Sequence, residues 1–253
     1  MPENFKLSVA IVTHNNGDKA AAAVTSILAH CKKYSLDLYI IDNNSSDDTL
    51  DRIGYLSGAV KIIRLDKNIG FGAAHNKVLD LIDSRYHFVV NPDITVGSDV
   101  FADIVDFMEA QDTAVMSTPD ILNTDGTTQY LPKSVPTFKR LFLGRISDKV
   151  RDEYVWKNRD ITEPVKIDFC SGCFFCIRAD AFKQLGGFDT RYFMYLEDAD
   201  LTIMAKSLGD VYFLPDIKVT HLWARESHRK LKYLLIHTVS CIKFLMKWRH
   251  TEK

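Results

Sequence analysis

The chain contains no run of 18 or more apolar residues, so it is expected to lack a helix long enough to cross a bilayer. Its opening residues, Met1-Pro2-Glu3-Asn4-Phe5-Lys6, hold no charged segment leading into an apolar one. Leu7–Val12 is too short for the apolar part of a signal peptide, which predicts a cytoplasmic location. Charge of one sign is also lacking. The 32 basic and 33 acidic side chains leave a net charge of −1, with no global field to attract nucleic acid, so an anionic ligand must be met by a local site. There are five cysteines, an odd number. Cys170, Cys173 and Cys176 have the spacing that opens an iron–sulfur motif, but Asp180 stands where the fourth cysteine would be. In the apolar stretch Phe169–Ile177 they read as reduced thiols buried in a strand. Neither an internal repeat nor a low-complexity segment is found.

What is present is a globular composition, 46% hydrophobic and 26% charged, in 253 residues, near the upper size for one core. The first half alternates strands and helices. Leu7–Thr13 and Leu38–Asp42 are continuous apolar runs, as expected of strands buried on both faces, and Val60–Leu65 and His87–Asn91 follow. Between and after them, helices are predicted at Lys19–Lys32, Asp48–Leu56 (with Ser45 and Asp48 resembling a capping box), Ala73–Ile82, and Ser98–Ala110 with Ser98 as N-cap. This order predicts an α/β fold with a doubly wound, mostly parallel sheet, whose ligands lie at the carboxyl ends of the strands. The polar residues found there are Thr13-His14-Asn15, Asp42-Asn43-Asn44 and Asn91-Pro92-Asp93.

The middle, Asp120 to Val165, mixes charges and prolines without a period and reads as loops plus one helix near Thr137–Lys149. A strand at Ile167–Ile177, a helix at Ala199–Leu208 and short strands at Val211–Leu214 and Ile217–Thr220 are expected next. The tail from Arg229 to Arg249 carries an apolar stripe at 3–4 spacing, Leu231 to Met246, with basic residues, including Arg229 and Lys230, at its ends. Two roles are open for it. It packs on the catalytic part or on a second subunit as a homodimer contact, or it lies in a lipid interface with its cations on anionic headgroups.

Asp93 projects from a strand end, where one carboxylate suits a hard cation that fills its shell with substrate phosphates; the plain alternative is a proline turn. Glu197-Asp198-Ala199-Asp200 opens a helix after Tyr192-Phe193-Met194-Tyr195. Acids are common in any first helical turn, yet burial there raises a carboxylate toward a useful base. His221 follows a strand and is either a ligand or merely structural. Asp42 ends a strand where an acid often meets a nucleotide, and Asn68–Asn76 is a glycine-containing loop opening a helix, without the third glycine of a dinucleotide fingerprint.

Taken together, these segments resemble family 2 glycosyltransferases of the GT-A fold, in the bacterial rhamnosyltransferase-like branch. The resemblance is carried by Ile11–Asn15, Ile41–Asp47, Asn68–Gly72, Asn91–Asp93, Ser171-Gly172, Gly186–Asp189, Phe193–Leu201, and Pro215-Asp216 with Val219–His221, in the family's order over about residues 6 to 227. It implies a GT-A domain over 1–225, with a nucleotide-sugar half to about 118 and an acceptor half from about 119, and a helical tail over 226–253. It further implies that Thr13, Asn15, Asp42 and Asn44 hold the nucleotide, and that Gly70, Phe71 and Asn76 line the donor's ribose or sugar. Asn91 and Asp93 match the family's DxD acids, the first replaced by Asn as is usual in this branch. Asp93 with His221 would hold Mg2+ or Mn2+, and Asp198, of the Glu197-Asp198 pair, would be the catalytic base.

The expected reaction is inverting transfer of one sugar from a nucleotide-diphosphate donor to a hydroxyl of a cell-surface glycan or lipid-linked acceptor. Branch resemblance makes dTDP-rhamnose the first donor to test, with UDP-hexoses and UDP-galactofuranose as alternatives. Such acceptors also leave peripheral contact with the inner face of the membrane open. Phe244–Trp248 does not match the Gln-x-x-Arg-Trp motif of processive members, so single transfer is expected. Three other functions fit these residues less well. A sugar-phosphate nucleotidyltransferase needs a basic loop after the first strand, but Thr13–Asp18 there holds no Lys or Arg. A glycoside hydrolase needs two carboxylates flanking the bond. A non-catalytic glycan-binding module would not need Asp93, Asp198 and His221 together.

Overall fold

A computed structural model of the chain describes residues 5–56, 58–222 and 231–249. The elements in chain order are β1 (Lys6–Thr13), α1 (Gly17–His30), β2 (Ser35–Asp42), α2 (Thr49–Gly54), β3 (Lys61–Arg64), α3 (Phe71–His75), a 3₁₀ segment (Asn76–Leu81), β4 (Tyr86–Val90), β5 (Ile94–Thr95), α4 (Val100–Ala110), β6 (Ala114–Leu122), α5 (Phe138–Leu143), α6 (Asp148–Tyr154), β7 (Val165–Lys166), β8 (Phe174–Arg178), α7 (Ala179–Gln184), α8 (Glu197–Ala205), β9 (Asp210–His221) and α9 (Leu231–Lys247). Arg229, Lys230 and the expected domain boundary at 225/226 lie outside the described residues.

Among the described residues the strands form one sheet in the order β3-β2-β1-β4-β8-β6-β9-β5, with β7 on β9. The four strands β3, β2, β1 and β4 are parallel, as the alternating first half predicts. β1 and β4 are buried along nearly their whole length because helices cover both faces. One apolar cluster lies under α1 and α4 around Val24, Ile27 and Phe101. A second lies under α7 and α8 around Val78, Phe182 and Leu201. A third, smaller cluster joins Tyr192 and Phe169 to Cys241 and Phe244 of α9. The second half of the sheet departs from simple winding, because β8 runs antiparallel between β4 and β6 while β6 and β9 are parallel.

Several predicted elements require correction. β6 was not foreseen, because Pro119 and Asp120 interrupt its apolar run. Pro119 sits where the β6–β9 register shifts, the place in a sheet where a missing N–H is tolerated. The strand expected over Ile167–Ile177 forms only from Phe174. Upstream, the Cys170 N–H goes to Thr202 Oγ1 and the Gly172 N–H to Asp198, so neither serves a ladder. Ala73–Ile82 divides into α3 and the 3₁₀ segment, Thr137–Lys149 into α5 and the start of α6, and the two short strands expected after Leu208 are one, β9. The cap of α4 is Asp99, which accepts from the Ala102 N–H, in place of Ser98. No capping box forms at α2: Ser45 Oγ instead accepts from the Asn15 N–H.

Candidate active site

Thr13 and Asp42 end neighbouring parallel strands and are direct partners in register. Both are buried, and Thr13 Oγ1 and Asp42 Oδ2 have no hydrogen-bond partner among the described residues; Asp42 Oδ1 accepts from the Ser45 N–H at 3.1 Å. Orphaned buried polar atoms at adjacent strand ends need a ligand or water.

Asp93 leaves β4 by a short turn and meets the end of β9, because the Leu222 N–H donates to the Asp93 carbonyl at 2.7 Å and Ile94 pairs with His221. This brings Asp93 Oδ1 to 3.1 Å from His221 Nε2, with Lys19 Nζ 3.8 Å from Asp93 Oδ2. Burial acts to raise the Asp93 carboxyl, but the hydrogen bond and charge of His221 and the charge of Lys19 outweigh it and hold the group below its ordinary value. Gln129, with no signal in sequence beyond a lone amide in a polar loop, fixes the imidazole. Its Nε2 donates to the His221 carbonyl at 3.2 Å, which turns Oε1 toward Nδ1 at 3.0 Å. The Gln129 amide thus fixes the ring on its Nδ1 side and leaves Nε2 facing the Asp93 carboxylate.

The second carboxylate group stands at the start of α8. Asp198 is half-buried: Oδ2 accepts from the Gly172 N–H and Oδ1 from the Ala199 N–H, both at 2.8 Å. Burial raises its carboxyl, and these two N–H groups restrain the rise. Glu197 is buried, Oε2 has no partner among the described residues, and burial together with the Asp198 charge pushes it well above the ordinary range. Of the pair, Asp198 is the one open to a substrate. The two sites are joined by backbone, since the Asn91 N–H donates to the Cys173 carbonyl, next to Gly172.

Tyr195 and Leu196, just before the pair, both have left-handed backbone at φ 73° and 66°, a strain of about 1–3 kcal/mol each. α9 holds this loop in place. Ser240 Oγ donates to the Met194 carbonyl at 2.8 Å, and Lys247 Nζ and Trp248 Nε1 each reach the fully buried Asp200 at 2.7 Å.

A model of the family described as glycosyl transferase family 2 matches residues 8–186. The chain belongs to that family. Over 257 residues it is 25% identical to an N-acetylglucosaminyl-diphospho-decaprenol L-rhamnosyltransferase of Mycobacterium tuberculosis, covering 94% of this chain and 83% of the relative. It is 24% identical to the rhamnosyltransferase WbbL of Escherichia coli, covering 95% and 93%. The solved structure of GalNAc-T7 with UDP, GalNAc and Mn2+ superposes with a TM-score of 0.67 at 20% identity, over 89% of this chain and 45% of that one, showing the shared GT-A fold.

In this glycosyltransferase the remaining expected donor residues divide into two groups. Asn15 and Asn44 are exposed with positive φ at the strand ends, Asn91 is half-buried beside Asp93, and Phe71 is half-buried beside Gly172. Asn76 and Gly70, in contrast, hold the loop. The Asn76 amide is used on both sides by Phe188, accepting from its N–H at 2.9 Å and donating to its carbonyl at 2.8 Å. Gly70, at φ 92°, leaves room for the Phe193 carbonyl, which a Cβ would meet at 2.2 Å. Asn43, one of the polar residues expected at the strand ends, ties β2 to this loop with its side chain through the Ile69 N–H and the Gly70 carbonyl.

The five cysteines are free and buried. Burial pushes the thiols of Cys170 and Cys176 well above the usual range and that of Cys173 to about 11, so all three are neutral thiols at neutral pH. Cys176 lies in β8, whereas Cys170 and Cys173 lie in the segment before it.

Proposed function

We propose that this enzyme transfers one L-rhamnosyl unit, with inversion, from dTDP-rhamnose to a hydroxyl of a glycan or lipid-linked acceptor. The observation that carries the reading is the pairing of Asp93 with His221, whose ring Gln129 orients, together with an Asp198 fixed by Gly172. The printed names of the two rhamnosyltransferase relatives support the donor, and that of the mycobacterial one supports a lipid-diphosphate acceptor.

Asp93 and His221 suit Mg2+ or Mn2+. They supply one carboxylate and one imidazole, and no group of three or more potential side-chain ligands exists among the described residues, so phosphate oxygens and water would complete the shell. A divalent cation there supplies positive charge opposite the departing nucleotide diphosphate. Thr13 and Asp42 take the nucleotide, which satisfies their orphaned oxygens. Asp198 accepts the proton of the attacking hydroxyl, and the single displacement inverts the anomeric carbon. In the test, released dTDP is measured with a polyprenyl-diphosphate-linked sugar as acceptor. EDTA should abolish release, Mn2+ or Mg2+ should restore it, and Asp93→Ala should remain folded but inactive. Full turnover in chelator would refute the metal assignment.

We further place the outer face of α9 against the membrane. Leu235, Ile242 and Met246 are exposed on it, and Arg145 reaches His237 of α9 from the end of α5, whose neighbours Phe138 and Ile146 are also exposed. No described helix is long and apolar enough to cross a bilayer, so the contact is peripheral. Anionic vesicles should sediment the full chain at low salt. Leu235→Asp with Ile242→Asp should abolish this, and equal binding by both forms would exclude it.

A further inference from the structure

A cavity of about 330 Å³ lies on the acceptor half, between the 128–133 segment, the 155–162 segment and the irregular middle of β9. Its chemistry is unusual for a surface hollow. Asp120 and Lys133 both line it, each more than nine-tenths buried, yet they do not form an ion pair with each other. One Asp120 oxygen accepts from Thr128 Oγ1 at 3.1 Å. Lys133 Nζ lies 4.2 Å from the centre of the Phe213 ring and, among the described residues, donates to the Leu131 carbonyl at 3.3 Å. Burial drives the Asp120 carboxyl up and the Lys133 amine down, so both groups would gain from a hydrogen-bonding occupant. Arg159 is stacked 4.0 Å over the Trp156 ring, and Tyr130 is half exposed at the rim.

The charges balance. Lys133, Arg159 and Lys218 face Asp120, Asp160 and Asp216. A phosphate or a carboxylate ligand would meet as many repulsive as attractive groups. A neutral molecule rich in hydroxyls would use both kinds, and the volume suits a monosaccharide unit. The cavity also shares backbone with the reaction centre. Thr128 faces Asp120 while the next residue, Gln129, turns to His221. The Lys133 carbonyl accepts from the N–H groups of Asp168 and Phe169, at the start of the segment whose Gly172 holds Asp198.

We propose that this cavity is a subsite for an uncharged pyranose of the acceptor, next to the unit whose hydroxyl meets Asp198. The proposal rests on the glycosyl-transfer reading. It makes Asp120 and Tyr130 determinants of acceptor choice, with no role toward the donor.

The test is saturation-transfer NMR on the full chain with methyl glycosides of glucose, galactose and N-acetylglucosamine, with methyl glucuronide as the charged comparison and dTDP titrated in parallel. At least one neutral glycoside should bind and be preferred over the glucuronide. Asp120→Asn and Tyr130→Ala should each weaken it, the former about tenfold, the size expected for losing a hydrogen bond to a charged group. The dTDP affinity should be unchanged, which reports a folded donor site. No binding by any neutral glycoside, preference for the glucuronide, or binding untouched by both substitutions overturns the proposal. Failure of dTDP and dTDP-rhamnose to bind the unaltered chain would instead count against the transferase reading, which the glycoside arm does not use.

Discussion

Lys247→Met tests how α9 supports the catalytic loop. Asp200 is fully buried, and Lys247 forms an ion pair with it at 2.7 Å; Trp248 Nε1 at 2.7 Å and Tyr192 Oη at 3.3 Å are neutral donors. Removing one partner of a buried ion pair costs about 3–5 kcal/mol, because the remaining charge is left uncompensated. The two neutral donors remain, so the lower end applies, about 3 kcal/mol. Asp189, which Lys247 also touches, keeps Arg191. For a chain of this size the loss corresponds to a fall in Tm of about 6–12 °C, read by calorimetry or circular dichroism. The kcat should fall as well, since Asp200 is two residues from Asp198, while dTDP binding at the Thr13 and Asp42 strand ends should persist. Asp200→Asn combined with Lys247→Met removes both charges and should recover most of the lost stability. If Lys247→Met melts within about 2 °C of the parent, or if the double variant is as unstable as the two losses summed, the ion pair does not support the loop.

Asp198→Asn should lower kcat about 10²-fold or more with donor binding intact. A base held above the ordinary aspartate value makes kcat fall as pH drops through that raised value, and the residual rate of the variant should lack this limb. An active Asp198→Asn beside an inactive Glu197→Gln would reverse the assignment. Glu197 titrates well above its usual value when folded and near about 4.3 when unfolded. Unfolding therefore releases its proton once pH exceeds the unfolded value, and this residue's contribution to stability declines from there up to the folded value. Glu197→Gln should thus gain on the parent in urea denaturation between about pH 5 and 8, and a difference independent of pH would contradict the buried, neutral state. Gln129→Leu should weaken Mn2+ binding in calorimetry about 10-fold or more, as expected for a partner that orients a ligand; unchanged affinity would mean that the Gln129 amide does not govern the imidazole.

The half of the fold built from continuous apolar runs was legible. β1, β2 and β4 are buried on both faces, and nothing but a central parallel strand fits such text. β6 was not, because its Pro119 and Asp120 carry the marks of a loop. Only the partner β9, which shifts register at the same point, explains why they are tolerated. The strand ends that present Thr13, Asp42 and Asp93 followed from the topology. What could not be read was which polar side chains serve the scaffold. Asn76 and Gly70 stand in a loop that faces the site, yet the amide of one is used by Phe188 and the missing Cβ of the other by Phe193. Gln129 was invisible for the converse reason, since its role exists only where a loop 92 residues away in sequence meets His221.

The dependence of the catalytic loop on α9 also governs when this enzyme becomes competent. A polypeptide is made from its N-terminus, and its early parts begin to fold during synthesis. Every described strand of the sheet lies before Leu222, so these strands are made before α9 is translated. Until Ser240 and Lys247 have emerged, the left-handed turn at Tyr195 and Leu196 lacks this brace and Asp200 lacks its ion-pair partner Lys247. On the roles proposed above for Asp42 and Asp198, the nascent chain would capture its nucleotide before it could deprotonate an acceptor.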